Sequence, residues 1–427
     1  MKPSLKREIG LYEATVFGVG IILGAGIYAL IGPAAGIAGN AVWISFIIGA
    51  VISALTGLSY AELSTMFPKA AAEYVYAKEA FGKELWAFLL GWLIVFAGVV
   101  SVSTVAIGFA GYLRSFLDAP LSIIAILLIG SLSFMNFVGI EESSRVNIVF
   151  TAIEILGLAL IVVLALGRFP SVNYSEAPTG FQGIFAAAAL IFFAYLGFED
   201  IVNIAEEMED PQKTIPRALI LSIVVTTIFY VLVSVSAVSL VDWRGLGGSG
   251  APLAYAASVV LGENAFLILS VIALFATANT VLILLIVGSR MVYGMARGGS
   301  LPKLFSSIHR GRGTPWIAIL AVMFPSMVFA TLGDIRLVAG VTNFATFTIF
   351  ASVNFSLVWL RYKQPDLKRP FKVPFNIGNF PTIPFLGLIS CVFLALHLNL
   401  LAVIIGILTL IAGGIGYGVL RQVRGQT

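Results

Sequence analysis

The chain has 427 residues, of which 59% are hydrophobic and only 11% are charged, with a formal net charge of +4. Because about a quarter of the residues in a soluble domain are charged, this composition excludes an ordinary soluble protein and predicts an all-α polytopic membrane protein. The single cysteine, Cys391, excludes an intrachain disulfide and a cysteine metal cluster, and two histidines argue against a histidine-rich metal site. We therefore expect no metal and no cofactor.

About 20 apolar residues cross a bilayer, and stretches of this kind occur twelve times along the chain. Basic residues precede the first stretch, as in a signal peptide, but the apolar run is too long and is expected to remain as the first span. A separate short surface helix is expected at 252–262. The predicted spans lie near 12–31, 41–65, 84–112, 121–139, 144–167, 181–205, 216–241, 264–293, 315–332, 335–361, 382–397 and 399–420.

The basic residues of the loops predict the orientation of these spans. Alternate segments, starting with the N-terminus, hold 21 of the 25 Lys and Arg residues, and the other side holds four: Arg114, Arg168, Arg244 and Arg336. Since basic loops stay in the cytoplasm, both termini are predicted to be cytoplasmic in a multi-pass protein of the cell membrane. The net positive charge therefore indicates orientation in the lipid bilayer, and no nucleic-acid partner is expected.

Two predicted spans contain their own interruptions. The first span includes GVGIILGAGIYALIG at 18–32, with five glycines, although glycine is a poor helix former. The sixth includes FFAYLGFED at 192–200, with a glycine and two acidic residues. Interrupted helices at corresponding places in two halves indicate an inverted-repeat transporter. We predict a single transporter domain over 1–427, with repeats of about 12–167 and 181–361 and terminal helices at about 382–420.

The first interruption has the chemistry of an amino-acid receptor. The half-helix that starts after Gly24–Ala25–Gly26 directs its positive end at the break, which suits a carboxylate. The half-helix that ends near Ile22–Leu23 offers carbonyl groups, which suit an ammonium group. An amino acid carries both groups on one carbon. The alternative is that the small residues only allow close packing of helices.

Five stretches give the chain a family resemblance. They are GVGIILGAGIYALIGP at 18–33, SYAELSTMFPKAAAEYVYAKEAFG at 59–82, FAYLGFEDIVNIAEEMEDPQKTIPRAL at 193–219, SRMVYGMARGGSLP at 289–302 and LRYKQPDLKRPFKVP at 360–374. In this order they resemble the amino acid–polyamine–organocation family, whose members share the inverted-repeat fold of the leucine transporter. The resemblance departs at Ala70–Ala71–Ala72, where glycine is common, and at Ala25, where some members carry serine.

The resemblance implies roles for individual residues. The backbone N–H groups of Gly24, Ala25 and Gly26 would bind the substrate carboxylate. The carbonyl groups of Ile22, Phe193 and Ala194 would bind its amine. Phe193 would also cover the bound substrate from the outside, and Leu196 would line the side-chain pocket.

Two carboxyl groups lie inside predicted spans. A charge at the bilayer centre costs about 2.5–3.5 kcal/mol on insertion scales, so such a group normally has a partner or a proton. The resemblance links the position of Glu199 to substrate recognition or proton sensing; alternatively, Glu199 only binds the unwound backbone. Glu154, where some proton-coupled members carry lysine, could carry the coupling proton or help to bind a cation. Alternatively, a neighbouring Ser or Thr holds it as a neutral carboxyl.

These features predict a secondary amino acid permease that works by alternating access, with a proton as the coupling ion in symport. Sodium remains an alternative, for which Thr277 and Thr280 could supply oxygens. A polyamine or cationic amino acid transporter or exchanger is the second candidate, and a channel or sensor is a third. No enzyme is expected, since the nucleophile, base or metal that catalysis needs is not found near the breaks. Glu62 is expected to pair with a cytoplasmic basic residue.

Overall fold

The computed structural model describes residues 10–67, 72–138, 143–297 and 299–423. In the first half of the chain, the helices are α1 (Leu11–Ile22), α2 (Ala25–Ala38), α3 (Val42–Met66), α4 (Ala72–Phe81), α5 (Glu84–Leu113), α6 (Leu121–Val138) and α7 (Ser143–Ala165). In the second half, they are α8 (Gly180–Ile191), α9 (Pro211–Leu240), α10 (Trp243–Gly248), α11 (Pro252–Leu261), α12 (Glu263–Arg297), α13 (Trp316–Ala330), α14 (Ile335–Lys363), α15 (Thr382–Ala395) and α16 (Leu400–Val423). A two-residue β-hairpin, β1 (Asn376–Ile377) with β2 (Phe380–Pro381), is the one sheet of the described residues.

The predicted all-α polytopic membrane protein is confirmed. Eight apolar stretches of the described chain are long enough to cross a membrane. Three predicted spans correspond to shorter apolar helices: the first half of span one is α1, span nine is α13 and span eleven is α15. Span five corresponds to α7. The predicted short helix at 252–262 is α11. The predicted start of span seven at 216 is wrong: α9 begins at Pro211, since proline suits the first helical turn, and it continues through Pro216.

Helices five spans apart pack directly against each other. These pairs are α3 with α9, α5 with α12, and α6 with α13. The interrupted spans one and six follow the same rule, because α2 packs on α8. Such pairing is what a two-fold relation between spans one to five and spans six to ten would produce.

A buried ion-pair cluster fixes the ends of α3 and α14, and it confirms the expected pairing of Glu62. Arg361 donates from Nε and Nη2 to the two carboxylate oxygens of Glu62 at 2.8 and 2.6 Å. The Nε atom of Arg369 lies 3.3 Å from the same carboxylate, and the backbone N–H of Val373 donates to it at 2.8 Å. The Arg369 guanidinium also donates to the carbonyl of Leu360 at the end of α14. The segment that follows α14 is thereby fixed to α3.

We predict that Glu62→Gln lowers the thermal unfolding midpoint of the detergent-purified protein markedly. The substitution leaves Arg361, which is 3% exposed, without its counter-charge, and breaking a buried pair from one side costs about 3–5 kcal/mol. Asp210→Asn is the control, because it breaks the exposed pair of Asp210 with Lys213 at 2.9 Å and should leave the midpoint unchanged. Equal midpoints for both variants and the unsubstituted protein would contradict a stabilising role of the cluster.

Candidate functional site

The first predicted break is confirmed. The helix α1 ends at Ile22 and α2 begins at Ala25, with Gly24 in an extended conformation at φ −81° and ψ −157°. The first amide groups of α2 have no carbonyl four residues earlier in the same helix, so they need other acceptors. One acceptor comes from α12, since the N–H of Ala25 donates to the Thr280 hydroxyl at 3.4 Å.

The second predicted break is also confirmed. The helix α8 ends at Ile191 and is followed by a 3₁₀ turn, Phe192–Tyr195. Leu196 is extended, and Gly197 adopts φ +113°, which disfavours residues with a side chain. A 3₁₀ helix, Phe198–Glu207, then continues the span. A Cβ atom on Gly197 would lie 2.1 Å from Cγ2 of Ile21, so glycine at this position also allows the sixth span to approach α1.

The two breaks are in direct contact. A Cβ atom on Gly26 would lie 2.6 Å from Cα of Ala194, so the backbone at the start of α2 packs against the turn that follows α8. The hydroxyl of Tyr230 on α9 lies 2.5 Å from the Ile22 carbonyl oxygen and 2.7 Å from the Ala194 carbonyl oxygen. Two of the three carbonyl groups predicted to bind an amine therefore converge on one hydroxyl group.

The other predicted substrate residues lie around this contact. The Phe193 carbonyl accepts a hydrogen bond from the N–H of Leu196 at 3.3 Å. The Phe193 side chain is buried in the same apolar cluster as Ala25, and Leu196 is partly buried against that cluster. The structure thus brings all the residues predicted for the substrate site to the two breaks.

Two side chains of this region were not predicted from the sequence. Tyr230 is fully buried on α9. The sequence feature that could have indicated its role is a lone hydroxyl-bearing residue within the apolar run IFYVLV. Asn343 on α14 donates from Nδ2 to the carbonyls of Ala189 and Leu190 at 2.7 and 2.9 Å. It thereby satisfies two of the carbonyl groups that the end of α8 leaves without helical partners.

The Glu199 carboxylate binds the unwound backbone. Its Oε2 atom accepts the N–H of Gly197 at 2.9 Å, which is the structural role considered for this residue. The same carboxylate also interacts electrostatically with Asp200 and Glu73. Glu199 therefore combines a structural contact with a position in a group of acidic residues.

Glu154 lies beside the first break. Its side chain is 2% exposed, and among the described residues its Oε1 atom has no hydrogen-bond partner, so no neighbouring Ser or Thr is seen to bind that oxygen. Its backbone carbonyl accepts the hydroxyl of Tyr28, four residues into α2, at 2.7 Å.

The two threonines considered for sodium binding use their hydroxyl groups within α12. Thr277 donates to the Ala273 carbonyl at 2.6 Å and Thr280 donates to the Ala276 carbonyl at 3.0 Å. Within the described ranges, no group of three or more His, Cys, Asp or Glu side chains could hold a metal ion.

Two interrupted helices that meet inside a bundle of apolar spans define a membrane transport protein. The chain belongs to the amino acid permease family, which matches residues 9–413. It is therefore a permease and not an enzyme, in a family that includes amino acid carriers.

Individual relatives are similar over most of the chain. The branched-chain amino acid permease BcaP of Bacillus subtilis is 32% identical over 97% of this chain and 93% of its own length. The methylthioribose transporter of the same organism is 30% identical over 91% of this chain and 87% of its own. Human cationic amino acid transporter 4 is 30% identical over 85% of this chain and 61% of its own.

We predict that Gly26→Ala lowers uptake of the transported substrate strongly while the protein still folds. The added methyl group would push Ala194 away from α2, and such overpacking typically costs about 1–3 kcal/mol. Gly98→Ala on α5 is the matched control, because a Cβ atom there meets nothing within 4 Å. Uptake into proteoliposomes, normalised to monodisperse protein, measures the effect. Normal uptake by Gly26→Ala would show that the contact between the breaks is dispensable.

Proposed function

We propose that the chain is a secondary active amino acid transporter that binds its substrate at the two breaks and works by alternating access. The observation that carries this proposal is the convergence of both breaks on Tyr230. Amide groups at the start of α2 and carbonyl groups at the ends of α1 and α8 lie in one contact region. This arrangement supplies a donor set and an acceptor set for the two charged groups of an amino acid.

The carboxylate of the substrate binds the N–H groups of Gly24, Ala25 and Gly26, at the positive end of α2. Its amine binds the carbonyl groups of Ile22, Phe193 and Ala194. These carbonyls already accept protein donors, but each oxygen has two lone pairs and can accept a second hydrogen bond. Tyr230 thus holds the acceptors in position without using up their capacity.

The same proposal assigns the side chains around the backbone site. Phe193 covers the substrate, and Leu196 lines the pocket for its side chain. The side chains of Phe193 and Leu196 are apolar, and such surroundings suit the aliphatic side chain of a neutral amino acid. The name of the similar branched-chain permease supports the same substrate class.

The coupling ion in this proposal is a proton carried by Glu154, with Glu199 as a second proton-binding group. Glu154 is supported by its burial and by the absence of a partner for Oε1 among the described residues, since a buried carboxyl group without a partner is typical of proton pathways in membranes. Sodium is the alternative coupling ion: the Thr277 and Thr280 hydroxyls donate to their own helix, and their oxygen lone pairs remain able to coordinate a cation.

The repeats and the orientation complete the proposal. Two inverted repeats, about 12–167 and 181–361, are supported by the packing of helices five spans apart. Both termini face the cytoplasm of the cell membrane, as the basic loop residues indicate.

The decisive experiment is uptake into proteoliposomes under imposed proton or sodium gradients. The panel contains radiolabelled L-leucine, L-valine, L-arginine, L-lysine, putrescine and methylthioribose. We expect saturable uptake of a neutral amino acid that an inward proton gradient accelerates, and loss of that acceleration in Glu154→Gln. The absence of uptake for every panel member would overturn the function. Acceleration by sodium alone would overturn the coupling ion.

A cationic amino acid or polyamine carrier is the second candidate, because Glu199 could pair with a second amine and one similar protein is named a cationic amino acid transporter. Under this alternative, Glu199→Gln abolishes uptake of arginine, lysine or putrescine and spares leucine. Under the leading proposal, uptake of neutral substrates is affected as well, because Glu199 supports the backbone at the second break. Comparing the two substrate classes in the same proteoliposomes separates the candidates.

A further inference from the structure

A tyrosine links the second break to the helix that follows the second span. Tyr60 on α3 donates its hydroxyl to Oε1 of Glu73 on α4 at 3.0 Å. The Tyr60 ring is in edge contact with the ring of Phe198, with centroids 6.2 Å apart, and Phe198 directly precedes Glu199. The charges of Glu73 and Glu199 both act on this hydroxyl. Tyr60 is therefore hydrogen-bonded to a carboxyl group on α4 and packs against the residue that directly precedes Glu199.

These carboxyl groups also influence each other. Glu199 interacts electrostatically with Asp200 and with Glu73, and Asp200 acts on Glu73 as well. Carboxyl groups that share a poorly solvated region repel each other when both are ionised. Burial raises the pKa of Glu73, and the charge of Asp200 acts in the same direction, against the hydrogen bond from Tyr60.

A second buried hydroxyl lies next to this group. The ring of Tyr76 on α4 packs edge-on against Tyr60 with centroids 6.1 Å apart. Tyr76 is 1% exposed, and its hydroxyl has no hydrogen-bond partner among the described residues. Its hydroxyl also interacts electrostatically with Glu73. The region around Tyr60 thus contains a hydroxyl group that could form a further hydrogen bond.

Other charged groups on the elements around α4 have partners of their own or are exposed to solvent. Arg361 on α14 is bound by Glu62, and Lys363 lies 5.8 Å from the ring of Trp359. Among the described residues of α4 and the start of α5, the other charged side chains are exposed to solvent: Lys78 and Glu79 on α4, Lys83 before α5 and Glu84 in its first turn. Glu73 is thus the partly buried carboxyl group through which α4 contacts Tyr60.

We propose that Glu73 exchanges the coupling proton with Glu199 through the hydroxyl of Tyr60. Protonated Glu199 gives its proton to the phenol oxygen while the phenol proton moves to Oε1 of Glu73, along the hydrogen bond that the structure contains. One proton is transferred, Tyr60 ends neutral, and Glu73 releases the proton to the aqueous side of α4, which is the cytoplasmic side in the proposed orientation. This inference rests on the proposed proton coupling.

Glu73→Gln separates this role from substrate binding. The variant should lower net uptake driven by an inward proton gradient by about tenfold or more, since a lost proton-transfer group typically costs two to four orders of magnitude in rate. Exchange of labelled for unlabelled substrate, which needs no net proton release, should remain close to that of the unsubstituted protein. The probe is whichever panel member the unsubstituted protein takes up fastest, with trapped pyranine reporting proton movement.

Three variants complete the test. Glu79→Gln, an exposed carboxyl on the same helix, should change neither reaction, and Glu73→Asp should restore most of the proton-driven uptake. Tyr60→Phe should reproduce the loss without replacing Glu73, so the inference stays testable if Glu73→Gln is unstable. Equal loss of exchange and net uptake, or no loss of either, would overturn the inference while leaving amino acid transport in place. Absence of any proton-driven uptake by the unsubstituted protein would instead overturn the proposed coupling, and this inference with it.

Discussion

The need to satisfy backbone groups inside an apolar protein interior determines the shape of this permease. A peptide group without a hydrogen-bond partner costs several kcal/mol in hydrocarbon, which is a large part of the net stability of a folded protein. Each end of the two breaks is therefore bound by a side chain, in three of the four cases from another span. Tyr230 binds carbonyls of both breaks, Asn343 binds the end of α8, Thr280 binds the start of α2, and Glu199 binds the amide of Gly197. The breaks are consequently specified by α9, α12 and α14 as well as by their own glycines.

This mutual support explains why the two breaks lie in direct contact. Gly26 and Gly197 allow the backbones of the first and sixth spans to approach to distances that a side chain would prevent. Tyr230 then holds a carbonyl group from each break within hydrogen-bond distance of a single oxygen. In the proposed function, a ligand that binds one break is within reach of the other, and small displacements of either half-helix change the acceptors available to it.

The positions of the breaks could be predicted from the sequence, whereas the residues that support them could not. Glycine within a long apolar run reveals where a helix is interrupted, as at Gly24 and Gly197, because its weak helix propensity acts locally. Glu62 could be assigned a basic partner because a charge in an apolar environment requires one. Tyr230, Asn343 and Tyr60 gave no comparable signal. Tyrosine and asparagine occur widely in buried helices, and their roles here depend on partners that are distant in the sequence.

Coupling between an ion and a substrate requires a physical connection between the two sites, and the described contacts contain one. Tyr28 on α2 binds the backbone of Glu154 on α7, while the N–H of Ala25 at the start of the same helix belongs to the proposed carboxylate site. A change in the position of α2 therefore alters the surroundings of Glu154 and the substrate site together. At the second break, Glu199 accepts the N–H of Gly197. The two carboxyl groups thus contact different interrupted spans, which suits the proposed roles of both in proton coupling.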